Sequence, residues 1–224
     1  MRDVAERLPE PPARPRWRGR LHLGAFALSL PAGGLLLVRA VAASPLVSVR
    51  IAVLLYALGV SAVFGVSAAF HLGRWTPAWR ERMGRADKAV IYLSIAGTYT
   101  PVSLLLVGHD AAAALLAFVW VVALAGVVLV WRWPRVRGVG VGLQIGLGWV
   151  GLVLLPRLLH LDRWALLLGV AGGVLYTVGV VVLLRRRPDP DPRVFGYHEI
   201  WHAFTVVAGA CHWAMLWLLL GAAR

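Results

Sequence analysis

The chain has 224 residues, 60% of them hydrophobic and 15% charged, with eleven tryptophans. A water-soluble domain of this length could not cover so much apolar surface, so the composition excludes an ordinary soluble enzyme and points to lipid as the solvent. The net charge of +13 raises nucleic acid as a partner, and the placement of that charge along the chain argues against it.

Residues 1–20 are rich in proline and arginine, carry Asp3, Glu6 and Glu10, and contain no apolar run. A cleavable signal peptide needs an apolar stretch soon after its basic start, so this segment reads as a disordered basic cytoplasmic tail. Residues 21–224 then read as an all-α integral membrane domain. Seven apolar stretches, at 21–42, 49–72, 88–107, 111–131, 139–156, 164–184 and 198–220, are expected to cross the bilayer as a seven-helix bundle. Pro31 and Pro101 fall inside two of them, which membrane helices tolerate when neighbours satisfy the freed carbonyls. Glycines cluster in the fifth stretch (Gly138, Gly140, Gly142, Gly146, Gly148, Gly151) and the sixth (Gly169, Gly172, Gly173). Small residues at such spacings let helices approach closely in lipid. Cys211 is the single cysteine, so no intrachain disulfide can form.

The basic residues fall almost entirely on one side of these spans. The tail holds 6, the loop 73–88 holds 5, the loop 132–137 holds 3 and the loop 185–197 holds 4. The opposite side holds only Arg39, Arg50, Arg157, Arg163 and Arg224. This is the positive-inside pattern, with a cytoplasmic N-terminus and, after seven crossings, an external C-terminus. The charge orients the protein in a membrane, and no nucleic-acid partner is expected. One lysine beside many arginines and alanines is the composition of a GC-rich bacterial genome, so the expected location is a bacterial plasma membrane.

Ionisable groups inside a membrane are expensive and mark function by default. The second span ends in SAAFH, with Ser67 and His71 four residues apart and so on one helical face. The third begins at Asp87, and the seventh begins with His198 and His202, again four apart. Given the charge-derived topology, all five residues lie at one depth near the inner leaflet. Two imidazoles from one helix and a third from another form a tridentate nitrogen set, which suits zinc with an open fourth position. His22, at the inner start of the first span, is expected to be interfacial. His109 and His160 fall in outer loops and are expected to be solvated. His212, ten residues beyond His202, lies about 15 Å further along a helix and is expected to be a buried polar contact.

His198, Glu199 and His202 also spell His-Glu-x-x-His, which in soluble metalloproteases is a zinc motif with the glutamate as base. The remaining ligand is missing. No Asp or Glu follows Glu199, and positions 205 and 208 hold Thr and Ala where a metzincin needs Gly and His. A protease is therefore excluded. Glu199, at a helix start, is left to favour the positive end of the helix dipole or to support a ligand.

SAAFH at 67–71, DKAVIYLSIAGTYTPVSLLL at 87–106 and HEIWHAFTVVAGACH at 198–212 resemble the hemolysin III branch of the progestin and adipoQ receptor (PAQR) superfamily. LHLGAFALSL at 21–30 is similar to that family's first span, with Leu21 where a threonine is often found. The resemblance implies a seven-helix bundle holding zinc on His71, His198 and His202, with Asp87 and Ser67 beside the water on the metal. It also implies a role in membrane-lipid, fluidity or energetics homeostasis. Through ceramidase-like relatives it implies zinc-dependent hydrolysis of a lipid amide, with membrane lipid as partner and substrate near the inner leaflet. Two other classes stand against this: a receptor- or sensor-like bundle in which zinc is structural, and a cytolysin. Seven apolar spans would hold a cytolysin in its own membrane.

Overall fold

The computed structural model describes residues 15–134 and 137–222. Helices α1 (Arg20–Ala43), α2 (Val47–Leu72), α3 (Pro77–Arg132), α4 (Arg137–Trp149), α5 (Leu155–Leu161), α6 (Arg163–Arg185) and α7 (Tyr197–Ala222) make up almost all of it, with a short 3₁₀ turn at Val150–Leu154. No strand occurs among the described residues. Leu28, Val38, Val121 and Leu184 are among many large apolar side chains left more than half exposed on the outside of the bundle. In water that surface would be a liability, and in lipid it is the solvated face.

The expectation of seven separate spans is corrected in two places. Six helices among the described residues are long and apolar enough to cross a membrane. The expected third and fourth spans are arms of one element, α3, which begins ten residues before Asp87. Its start is set by Thr76, whose hydroxyl accepts from Trp79 N, and by Pro77 in the first turn. If straight, its 56 residues would reach about 84 Å, well over twice the apolar thickness of a bilayer. It is not straight. Gly108 adopts φ 73 and ψ 179, a backbone region open to glycine and strained for other residues. Beyond that break Val119 and Ala123 pack on Tyr92, Ala96 and Tyr99, so the second arm doubles back along the first. The expected fifth span is likewise longer than its apolar core, because the apolar helical run extends over Gly138–Leu161. Low-propensity glycines in α4 and Pro156 at the start of α5 tighten the connection between them into the 3₁₀ turn.

Three apolar clusters hold the elements together. Leu36, Ala40, Val53, Tyr56, Leu216 and Leu220 join α1, α2 and α7. The second joins the arms of α3 to Leu147 of α4. The third brings Val102, Leu158, Ala165, Met215 and Leu219 together. The second also carries hydrogen bonds, with Tyr92 OH donating to Gly140 O at 2.7 Å and Tyr99 OH to Leu147 O at 3.0 Å. The buried histidines and Glu199 collect elsewhere, where the end of α2 meets the starts of α1 and α7.

Of the expected tail, residues 1–14 lie outside the described residues. Residues 15–19, which composition placed in that tail, instead form a turn bonded to the loop before α7. Arg16 N donates to Arg193 O at 3.0 Å and Trp17 N to Val194 O at 3.2 Å.

Candidate metal centre

The last turn of α2 carries His71, and the first two turns of α7 carry His198 and His202. The start of α7 is built by its own residues. Glu199 Oε2 accepts from Gly196 N at 2.9 Å, the reach-back of a capping glutamate, and Asp189 Oδ1 accepts from Tyr197 N at 2.9 Å. The other oxygen of Glu199 takes Arg18 Nε at 2.6 Å, and Glu199 itself is fully buried. Both oxygens of the glutamate are therefore spent on structure. Its place in the His-Glu-x-x-His motif is that of a cap and a tie to the segment before α1.

The three expected ligands come together. A ligating nitrogen from each of His71, His198 and His202 lies within 4.8 Å of the others. Their ring centroids are 4.6–5.1 Å apart. Nε2 of His71 and Nε2 of His198 face each other at 3.2 Å. Tetrahedral zinc with nitrogens at 2.0–2.1 Å sets its ligands about 3.3 Å apart, so this pair fits the spacing closely. His202 is buried, and its Nδ1 has no hydrogen-bond partner among the described residues. Imidazoles converging from two helices, with no carboxylate among them, form a donor set suited to zinc.

Ser67, one turn before His71, is buried, and its hydroxyl lies within hydrogen-bonding reach of the half-buried Asp87 carboxyl. The pair joins α2 to α3 beside the histidines. Neither residue belongs to the nitrogen cluster itself.

His22 departs from the expectation of an interfacial residue. It is 3% exposed, and its ring stacks on His202 with centroids 3.8 Å apart and planes 9° from parallel. Gly19, at φ 80, brings the start of α1 so close to α2 that an added Cβ would lie 2.8 Å from that of His71. Position 19 thus needs glycine both for its backbone conformation and for this contact. The one signal in the sequence for His22 is its place at the inner start of the first expected span. Arg18 offered none, because its partner lies 181 positions away.

The remaining histidines stay apart. His212 faces Gly169 O, with Nε2 3.4 Å away, and packs beside Tyr176. His109 is exposed and bonded to Ser48, and His160 is exposed.

Residues 12–213 match the family model described as Haemolysin-III related. The chain belongs to that family, the hemolysin III branch of the PAQR superfamily. It is 26% identical over 176 residues to the monocyte to macrophage differentiation factor of Homo sapiens, covering 76% of this chain and 71% of that protein. Over 126 residues it is 32% identical to hemolysin-3 of Bacillus cereus, covering 55% of each. The hemolysin-3 homolog of Bacillus subtilis (strain 168) is 29% identical over a stretch of the same length, 55% of this chain and 56% of that protein. Its relatives thus include bacterial and animal proteins, and this chain is a multi-pass membrane protein.

Proposed function

We propose that the chain is a zinc-dependent hydrolase of a membrane-lipid amide, acting at the inner leaflet of a bacterial plasma membrane in lipid homeostasis. The observation that carries this reading is the convergence of His71, His198 and His202 beside the Ser67–Asp87 pair. In this arrangement the three histidines hold the metal. Bound there, zinc would lower the pKa of a water to about 7 and polarise a carbonyl. Asp87, a carboxyl of α3 and no part of the nitrogen cluster, orients the attacking water and accepts its proton. Ser67 donates its one hydroxyl proton to the Asp87 carboxylate and so holds it in place, and the proton that Asp87 takes from the water is returned to the leaving amine.

The arms of α3 cross the membrane separately in this reading. That gives seven crossings with a cytoplasmic N-terminus and an external C-terminus, as the basic residues require. A reporter fused after Arg224 should be active only in an external-type assay, and a cytoplasmic signal there would overturn the topology. The hydrolase reading is tested by comparing lipids of cells expressing wild type with those expressing Asp87→Ala. Accumulation of one amide-linked lipid class in the variant is expected, and identical lipid profiles would overturn it.

A second reading is favoured by the same His71–His198 contact, which by itself ties α2 to α7. In it zinc is a structural tie within a receptor- or sensor-like bundle. Loss of metal would then unfold the bundle, whereas Asp87 substitutions would cost nothing. The hemolysin-3 name of the Bacillus relatives points to cytolysis, but the long apolar helices of this chain anchor it in its own membrane.

A further inference from the structure

His22 has no role in the ligand set described above, yet it is as buried as the ligands. Its ring lies flat on that of His202, and Phe64 flanks it at 5.2 Å between centroids. Its Nε2 is 2.9 Å from Thr205 Oγ1. Thr205 has one hydroxyl proton, and that proton goes to His202 O at 2.8 Å. The Thr205 oxygen is therefore the acceptor in its contact with His22, and the imidazole carries its proton on Nε2. A chain of two hydrogen bonds thus runs from α1, through Thr205, to the backbone of a ligand. The flat face of His22 meets the ring of that same ligand.

His22 cannot be a fourth ligand in this geometry. A metal held by an imidazole nitrogen lies in the plane of that ring. The planes of His22 and His202 are nearly parallel and stacked, so a metal in the plane of His202 lies off the plane of His22.

Resting on the zinc reading above, we infer that His22 is a positioning residue of the metal centre: its ring and its bond to Thr205 fix the plane of the His202 imidazole, and so the direction of the nitrogen that meets the metal. The start of α1 becomes a brace for the whole ligand set. Gly19 is pressed against His71, His22 against His202, and Arg18 holds the glutamate next to His198. The partners that orient a metal ligand commonly set metal affinity by about 10–100-fold. Such a partner usually bonds the ligand's ring nitrogen. Here a stacked ring and a backbone relay take that part.

The test uses the full-length protein in detergent. Zinc affinity is measured by competition with a chelator, and the absorption spectrum of the cobalt-substituted protein reports ligand geometry. His22→Ala should weaken zinc binding by about 10–100-fold and alter the cobalt spectrum. His22→Phe keeps the stacked ring and loses the bond, and Thr205→Val cuts the relay. Each should fold, recover part of the affinity lost in His22→Ala, and still differ from wild type in the cobalt spectrum. If His22→Phe and Thr205→Val both match wild type in affinity and spectrum, His22 only fills space and the inference is overturned. If wild type takes up no zinc at all, the failure belongs to the metal reading on which the inference rests.

Discussion

Helix α7 carries three histidines, and two of its regions treat them in opposite ways. At its N-terminal start, His198 and His202 meet His71 and His22, and nitrogens from three of the four rings fall within 4.8 Å of one another. Halfway along, His212 stands alone between α6 and α7, facing a carbonyl and filling the space left by Gly172. Residue type is the same in the two regions, and His212 is half-buried as His198 is. What separates them is convergence: one region gathers several lone pairs at a point, and the other spends its imidazole on a single backbone oxygen. A buried histidine is a candidate ligand only where other helices bring donors to the same place.

The largest expected effect is on metal content. His198→Ala/His202→Ala should take zinc from about one equivalent per chain to none, whereas His212→Ala should keep the full equivalent. Elemental analysis of the two purified variants checks this. Equal zinc in both would erase the distinction between the regions.

Next in size is chemistry at the first region. Asp87→Asn should retain zinc and the folded bundle while the hydrolytic rate falls by about 10²–10⁴-fold, the usual contribution of a general base. Parallel rate and metal measurements on one preparation decide it. Zinc lost together with activity would make Asp87 a ligand, and activity kept in full would reduce the metal to a structural tie.

A smaller effect is expected from the clasp around Glu199. Arg18→Ala leaves a fully buried carboxylate with Gly196 N as its remaining partner. Arg18 is about a quarter exposed, so solvent screens the pair, and the cost should be about 1–3 kcal/mol. Thermal unfolding in micelles reads that loss, with zinc stoichiometry unchanged. The smallest effect belongs to the second region, where His212→Ala should cost stability by about 1 kcal/mol, the net worth of one hydrogen bond, and leave affinity for zinc unaltered.

Much of this contrast was legible in the sequence. Apolar runs mark the helices, and the sidedness of the arginines gives Ser67, His71, Asp87, His198 and His202 one expected depth, in keeping with the meeting of the three histidines. Spacing of ten residues is enough to separate His212 from the histidine cluster. The joining of two spans into α3 was not legible, because the polar turn at Gly108–Asp110 reads as a loop while the backbone stays helical except at one glycine. Nor was the length of the segment ending at Leu161, where helix continues past the apolar core. The places of Arg18 and His22 depend on packing between opposite ends of the chain, a relation that neither periodicity nor composition records. Glu199 divides in two: its place at a helix start already offers a role at the positive end of the dipole, whereas the tie of its second oxygen to Arg18 is not legible.

The central claim is that three imidazoles hold zinc and leave a coordination position open for water. X-ray absorption at the zinc edge on purified protein tests it most directly. Three imidazole nitrogens and one further light oxygen, all at about 2.0–2.2 Å, are the expected result. A fourth protein ligand at the metal, or a zinc signal unchanged in His198→Ala/His202→Ala, would contradict the account.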